Sequence, residues 1–304
     1  MRAASVRAKR TVKIRTIKEY DIPMTRRAFV PFLAAVGVAA TADDQPIERK
    51  GRLKQCVTGG VFGKGRTLEE NARDAAKMGA KGFDLIGPKD WPILKKYGLT
   101  PTMVPGFGGT IPNALNRIEN HAEIEKLMHE GIDTCSAYGA PNLITFSGNR
   151  RGMSDSEGMD NCVLFLNKVK AHAEDKGVNI CMELLNSKVN HKDYMNDHTV
   201  WGVEVCKRVG STRVKLLYDI YHLQIMEGDI VRTIRDNIQY LAHFHTGGNP
   251  GRHEIDDTQE LNYHFVAKVI ADLGFQGYVA HEYTPAQGND PLKSLDTAMR
   301  IFDV

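Results

Sequence analysis

Strand-like and helix-like segments alternate eight times between Leu53 and Phe302, and this rhythm constrains the fold more than any other feature. Each apolar, strand-like run is followed by a segment whose apolar residues recur at helical spacing. The predicted pairs, in chain order, are 53–62 with 67–79, 82–86 with 90–97, 100–104 with 116–138, 142–146 with 157–176, 178–185 with 199–209, 214–220 with 230–237, 239–244 with 263–273, and 278–281 with 291–302.

Strict alternation predicts a parallel sheet, and eight pairs within about 250 residues predict an α/β protein with a single (β/α)8 TIM barrel. An open, doubly wound sheet is the alternative. That fold usually has a glycine-rich phosphate turn after its first strand, and residues 61–66 match neither the dinucleotide nor the Walker pattern. We therefore expect the closed barrel.

The first 42 residues are unlike the rest of the chain. Arg26 and Arg27 precede a 12-residue apolar stretch at 29–40, and Ala40-Thr41-Ala42 resembles a signal-peptidase site. The stretch is short of the roughly 20 apolar residues of a membrane span. The paired arginines predict twin-arginine export to the periplasm or cell envelope, with an ordinary secretory signal or an uncleaved anchor as alternatives. If Met24 is the true start, residues 1–23 are a mispredicted extension. We expect a signal segment at 1–42 and a barrel at 50–304.

The charge balance argues against nucleic-acid binding. Residues 1–42 contain nine Lys and Arg against two acidic residues, a net +7, and the whole chain carries +3, which leaves −4 for residues 43–304. A mildly acidic folded part gives nucleic acid no electrostatic support. The five cysteines contain no C-x-x-C pair, so we expect neither a disulfide scaffold nor a zinc knuckle, and most should be buried.

Four strand-like runs in the second half end close to a residue that can bind a metal. These residues are Glu183, Asp219, His245 and Glu282, separated by 36, 26 and 37 residues, about the length of one β/α unit. Consecutive units would bring all four to the carboxyl end of the barrel, where such enzymes hold their active sites. Three carboxylates and one imidazole suit one divalent ion, Mg²⁺ or Mn²⁺. Taken singly, a residue of this kind is more often a solvated loop carboxylate or a satisfied histidine, and it is the four consecutive strand ends together that favour a metal site.

Motifs around these residues carry a family resemblance. A P-x-R-H-E loop at 250–254 is followed by Glu-Leu-Asn-Tyr at 260–263, with Gln259 where glycine is usual. A D-x-x-H element spans 219–222, and an E-Y-x-P element spans 282–285. From about residue 50 onward the chain resembles the xylose-isomerase-like barrels, within them the hydroxypyruvate isomerases, and more distantly the ketose 3-epimerases. The first half matches only loosely.

The resemblance implies a metal-assisted aldose–ketose isomerisation, here of hydroxypyruvate to tartronate semialdehyde. Glu183 and Glu282 would be the acid/base pair that moves a proton between neighbouring carbons, while also binding the ion with Asp219 and His245. His222 and Arg252 would bind substrate oxygens, since a guanidinium suits a carboxylate. Supporting or weaker candidates near the site are His243, His253, Glu254, Glu260, Lys188, His191, Phe107, Phe146 and Trp91.

Other functions remain open at this point. A ketose 3-epimerase, or a lyase acting on oxidised glycosides, would use the same metal and carboxylates. A phosphodiester-cleaving barrel of the apurinic-endonuclease type would need more histidines and a basic face. An exported sugar-binding barrel without catalysis is a third class. The expected partner is a small keto-acid or sugar, with no nucleic acid and no membrane span after signal cleavage, and a homo-oligomer is compatible with the sequence.

Overall fold

The computed structural model describes residues 46–304, so the predicted signal segment at 1–42 lies outside the described residues. Nine strands in this part of the chain form one sheet in which every pairing is parallel. The strands are β1 (Lys54–Val57), β2 (Gly82–Phe83), β3 (Thr100–Pro101), β4 (Val104–Gly108), β5 (Asn142–Thr145), β6 (Asn179–Leu184), β7 (Val214–Asp219), β8 (Leu241–Thr246) and β9 (Tyr278–His281).

The sheet closes through its third strand. Its order runs from β3 through β2, β1, β9, β8, β7, β6 and β5 to β4. Along the chain only Thr102 and Met103 separate β3 from β4, so these two segments are halves of one bent strand that pairs with β2 at its start and β5 at its end. The predicted eight-stranded parallel barrel is thereby confirmed.

Helices follow the strands as the alternation predicts. They are α1 (Leu68–Lys77), α2 (Trp91–Lys96), α3 (His121–Tyr138), α4 (Asp155–Lys176), α5 (Thr199–Val209), α6 (Ile220–Met226), α7 (Ile230–Asn237), α8 (Tyr263–Asp272) and α9 (Pro291–Ile301). Local signals fix several ends. Thr67 and Glu70 form the capping box that starts α1, and Gly177 in the left-handed region ends α4.

Two differences from the sequence-based prediction lie at the ends of β1 and β7. Residues 53–62 were expected to be one strand, but β1 ends at Val57 and residues Gly59–Phe62 form a 3₁₀ helix. Val61 and Phe62 are buried there, which explains why an apolar run looked like a strand. The second difference is α6, which follows β7 directly because the Asp219 carboxylate accepts a hydrogen bond from the His222 backbone N–H and caps the helix.

One large apolar core fills the space between the strands and the helices, and a smaller cluster of Met103, Ile144, Cys181 and Leu217 fills the barrel. All five cysteines are buried and unpaired, as expected. Among residues 46–304, no helix is both long enough and apolar enough to cross a membrane.

Candidate metal centre

Four consecutive strands deliver the four predicted residues to one end of the barrel. Glu183 lies near the end of β6, Asp219 ends β7, His245 is the penultimate residue of β8, and Glu282 follows β9. Asp219 and His245 are register partners in neighbouring strands. Each residue offers a ligand atom, and these four atoms all lie within 4.8 Å of one another. We call these four residues the carboxyl-end cluster.

The imidazole of His245 is at the centre of the carboxyl-end cluster. Its Nδ1 atom lies 2.5 Å from Oε2 of Glu282, 3.4 Å from Oε1 of Glu183 and 3.9 Å from Oδ2 of Asp219. His245 and Asp219 are fully buried, Glu183 is nearly so, and the side chain of Glu282 is 23% exposed. Glu282 is thus the member that opens to solvent.

Burial and charge act differently on the two glutamates. Burial, followed by the charges of Glu282 and Asp219, raises the pKa of Glu183 to about 7 against the opposing influence of His245. Burial also raises the pKa of Glu282, but His245 and Arg252 outweigh it and hold this pKa below its usual range. Burial lowers the pKa of His245, yet Glu282, Asp84 and Glu183 raise it well above the ordinary value. The centre is therefore rich in negative charge that a cation can balance.

A divalent ion fits this donor set. Three carboxylates and one imidazole are the ligands that Mg²⁺ or Mn²⁺ accept. Nδ1 of His245 is buried and makes no hydrogen bond, although Glu282 lies beside it. An orphaned buried nitrogen facing carboxylates is costly unless it binds a proton or a metal. The carboxyl-end cluster can thus hold a metal ion.

Arg252 reaches over the carboxyl-end cluster. Its Nη2 atom lies 2.6 Å from both Oδ2 of Asp219 and Oε2 of Glu282, and Nε donates to the Glu282 carbonyl at 3.2 Å. Nη1 lies 2.8 Å from Nε2 of His222, which is completely buried. Burial and the charge of Arg252 lower the pKa of His222 well below its ordinary value, so this histidine is neutral.

The loop that carries Arg252 is tied to the segment after β9. Arg252 has a positive φ of 58°, an uncommon backbone conformation for a residue with a side chain. Thr284 N–H donates to the Arg252 carbonyl at 3.0 Å, and His253 Nδ1 lies 2.7 Å from the Thr284 carbonyl. The buried Glu254 carboxylate accepts from Ala286 N–H at 3.1 Å. These contacts hold the guanidinium over the carboxyl-end cluster.

Comparison with known proteins identifies the family. Residues 72–303 match the family model described as xylose isomerase-like TIM barrel. The chain belongs to this family. Its fold also resembles the crystal structure of an AP endonuclease, family 2, from Brucella melitensis, with a TM-score of 0.71 and 23% identity over 80% of this chain and 97% of that one.

Two curated relatives are isomerases. A 2-oxo-tetronate isomerase of Cupriavidus necator is 39% identical over 87 residues, covering 29% of this chain and 33% of that protein. A hydroxypyruvate isomerase of Escherichia coli is 35% identical over 105 residues, covering 34% of this chain and 40% of that protein. The matched region thus spans about a third to two-fifths of these relatives.

One buried residue beside the carboxyl-end cluster of this xylose isomerase-like barrel is not among the predicted site residues. Asp84 directly follows β2, and its Oδ2 lies 2.6 Å from Nε2 of His243 and 3.0 Å from Nε2 of His245. Its other oxygen, Oδ1, accepts from Thr102 Oγ1 and, at 3.4 Å, from Cys56 Sγ. The signal was present, since Asp84 is a carboxylate within the apolar run predicted as a strand at 82–86. Because β2 has only two residues, the spacing of strand ends does not single out Asp84.

Cys56, Asp84 and His243 form a second buried group whose ligand atoms lie within 4.8 Å of one another. These residues already satisfy one another by hydrogen bonds. Burial, reinforced by Asp84, raises the pKa of Cys56 well above its ordinary value, so the thiol stays protonated and is a poor metal ligand. This group is better described as support for the carboxyl-end cluster.

Of the weaker candidates, some lie near the carboxyl-end cluster and others contact different parts of the molecule. The ring of His191 packs against that of His222 at a tilt of 60°, with centroids 5.2 Å apart, and Phe146 packs on the small cluster inside the barrel. Lys188 instead donates to the carbonyls of Ile225 and Met226 at the end of α6, each at 3.0 Å. Glu260 is exposed and accepts from Gln224 at 3.2 Å.

Two predicted pocket aromatics belong to the core. A side-chain carbon at Gly131 in α3 would approach Cγ of Phe107 to 2.5 Å, so Phe107 faces that helix. Trp91 is buried against Tyr138, with ring centroids 4.7 Å apart, and donates to the Ile86 carbonyl at 2.8 Å. Neither lines the cleft beside the carboxyl-end cluster.

That cleft has a volume of about 440 Å³. Its lining combines Arg252, Glu282 and Asp84 with a wall of loop residues from the ends of β1, β2 and β9, namely Thr58, Gly59, Gly60, Leu85, Ile86, Tyr283 and Thr284. The volume suits a small molecule of a few carbons. One guanidinium is the only positively charged side chain in this lining.

Proposed function

We propose that this protein is a metal-dependent isomerase of a small hydroxy-keto acid, with hydroxypyruvate as substrate and tartronate semialdehyde as product. The observation that carries the proposal is the placement of Glu183 and Glu282 at 3.4 Å and 2.5 Å from the same nitrogen of His245, beside a small cleft. Two carboxylates that lie close to one point can remove a proton from a substrate held between them and return it to a neighbouring atom.

The reaction moves hydrogen between neighbouring carbons without any net oxidation. One glutamate takes a proton from C3 of hydroxypyruvate, which gives an enediolate. The other glutamate returns a proton to C2, while the hydroxyl proton passes between the two oxygens. A divalent ion in the carboxyl-end cluster supplies Lewis acidity that makes the C–H acidic and stabilises the developing negative charge.

Arg252 and His222 are proposed to orient the acid. The guanidinium offers a planar pair of donors that matches a carboxylate, and it already faces two carboxylates at 2.6 Å. Neutral His222 would accept from a substrate hydroxyl at Nε2, the nitrogen that Arg252 Nη1 contacts at 2.8 Å. The Escherichia coli hydroxypyruvate isomerase and the Cupriavidus necator 2-oxo-tetronate isomerase support an acid of this kind as substrate.

Export is part of the proposal. The twin-arginine segment would carry the folded protein across the inner membrane, and fractionation of cells should find the protein in the periplasm or envelope. An R26K/R27K variant should then remain in the cytoplasm. Equal export of the wild type and the R26K/R27K variant would contradict export by the twin-arginine route.

The test of function is an NMR assay in D₂O. The full chain is incubated with hydroxypyruvate and Mg²⁺, and with 2-oxo-tetronate in parallel. The proposal expects tartronate semialdehyde to form and deuterium to enter C3 of the remaining hydroxypyruvate. Absence of both turnover and exchange at C3 would reject hydroxypyruvate as substrate, and turnover of 2-oxo-tetronate alone would redirect the proposal to that acid.

A further inference from the structure

Asp84 has a buried carboxylate whose two oxygens contact different partners. Oδ2 lies within hydrogen-bonding distance of Nε2 on both His243 and His245, at 2.6 Å and 3.0 Å. Oδ1 accepts only from the hydroxyl of Thr102 and the thiol of Cys56. All five residues are fully buried. One oxygen of Asp84 therefore accepts from the imidazoles of both His243 and His245.

The contacts define which nitrogen of His245 carries hydrogen. A carboxylate oxygen accepts but does not donate, so Nε2 of His245 must hold a proton that points at Asp84. Nδ1 then faces Glu183, Asp219 and Glu282, where it is buried without a hydrogen bond. In a metal-binding histidine, the nitrogen that does not bind the ion usually donates to such a carboxylate.

We propose that Asp84 is the positioning residue of the carboxyl-end cluster: by accepting both Nε2–H groups on one oxygen, it fixes the ring of His245 so that Nδ1 is presented to a divalent cation. Asp84 acts through His245 and does not itself bind the ion. The proposal rests on the proposed metal site but not on the proposed substrate, so its failure would not affect the hydroxypyruvate assay.

Two substitutions of Asp84 distinguish its role as a hydrogen-bond acceptor from its contribution to packing. In D84N, the amide oxygen can take the place of Oδ2, and the amide N–H₂ would face Thr102 and Cys56, whose oxygen and sulfur can accept. In D84A, both imidazoles lose their acceptor. The matched control is D296N, which removes the charge of a carboxylate that pairs with Arg49 and belongs neither to the carboxyl-end cluster nor to the cleft lining.

Affinity for Mn²⁺ is measured by calorimetry on the full chain. The proposal expects D84A to bind about 10–100-fold more weakly than the wild type, as removal of such supporting partners usually does. D84N should recover most of that loss, and D296N should bind Mn²⁺ as the wild type does. Wild-type affinity in folded D84A, or an equal loss in D84N and D84A, would overturn the proposal.

A second measurement applies even if D84A does not fold. In the Mg²⁺-loaded wild type labelled with ¹⁵N-histidine, the proposal expects the hydrogen of His245 on Nε2, slow to exchange with solvent. A hydrogen on Nδ1 instead, or an Nε2–H that exchanges as freely as that of an exposed histidine, would contradict it.

Discussion

At the scale of single residues, Arg252 contacts both the carboxyl-end cluster and His222. Its Nη2 atom contacts two carboxylates of the carboxyl-end cluster, and Nη1 contacts His222. Burial lowers the pKa of this guanidinium, but the charges of Asp219, Glu282 and Glu183 outweigh burial. The net effect raises the pKa above its ordinary value, so the positive charge is permanent. A permanent positive charge beside the cleft is what an anionic substrate requires.

We expect R252K to weaken substrate binding, because lysine keeps the charge but loses the planar pair of donors. Loss of one charge-assisted hydrogen bond, worth about 1.5–3 kcal/mol, corresponds to a rise in KM of about tenfold or more at saturating Mn²⁺. R300K is the control, since Arg300 makes an exposed ion pair with Asp296 on α9. Unchanged KM in R252K would exclude Arg252 from substrate binding.

The two glutamates give the sharpest test of catalysis against simple sugar binding. We expect E183Q and E282Q each to lower kcat by about 10²–10⁴-fold, because glutamine cannot transfer the proton. E125Q, which affects an ion pair with Lys168 between α3 and α4, should retain full activity. If the wild type shows no turnover and both variants still bind the substrate, the result would favour a binding protein over an enzyme.

At the scale of helices and strands, the sequence-based prediction succeeds where local signals decide. Residues 199–209, 230–237 and 278–281 were predicted with the bounds that the structure has. It fails where long-range contacts decide. The 3₁₀ helix Gly59–Phe62 is apolar like a strand, and the strand predicted at 82–86 ends at Phe83, where its pairing with β1 and β3 ends.

We expect Gly82 in β2 to tolerate no side chain. A Cβ atom there would clash with Cγ2 of Thr102 and lie 2.6 Å from the Thr100 carbonyl oxygen. Overpacking of this kind costs about 1–3 kcal/mol, so G82A should lower the free energy of unfolding by that amount in urea titrations. G59A is the matched control, because a Cβ atom at Gly59 meets nothing within 4 Å. Equal stability of both variants would show that β2 can shift.

At the scale of the whole molecule, the strand-end spacing predicted that four residues would meet, and they lie within 4.8 Å of one another. The contacts of Arg252 and of Asp84 could not be predicted, because they join residues 30 to 161 positions apart. Such contacts follow from barrel closure and leave no local pattern. The two loops after β8 and β9 illustrate this, since their mutual hydrogen bonds determine where Arg252 lies.

Barrel closure also creates a pH dependence of stability through His281. Its Nδ1 lies 3.0 Å from Thr246 Oγ1, and Nε2 lies 3.0 Å from Gln55 Oε1. Burial, with a smaller contribution from Arg49, lowers the pKa of His281 to about 3. The unfolded chain, with an ordinary pKa near 6.5, therefore takes up a proton first. The stabilisation is complete above that pH and is lost as the pH falls towards 3.

We expect the free energy of unfolding of H281Q to depend less on pH than that of the wild type. The difference in slope between pH 4 and 6 should approach about 1.4 kcal/mol per pH unit, the value for one proton. Other buried groups, such as His222, contribute equally to both proteins and cancel. Parallel curves, measured by urea unfolding at each pH, would show that His281 does not control this dependence.

The most direct test of the account is a titration of Mn²⁺ into metal-stripped protein while deuterium exchange at C3 of hydroxypyruvate is followed by NMR. A one-metal site at Glu183, Asp219, His245 and Glu282 predicts no exchange without metal and a rate that rises until one equivalent is bound. Full exchange in the stripped protein, or no exchange at any Mn²⁺ concentration that occupies the site, would contradict it.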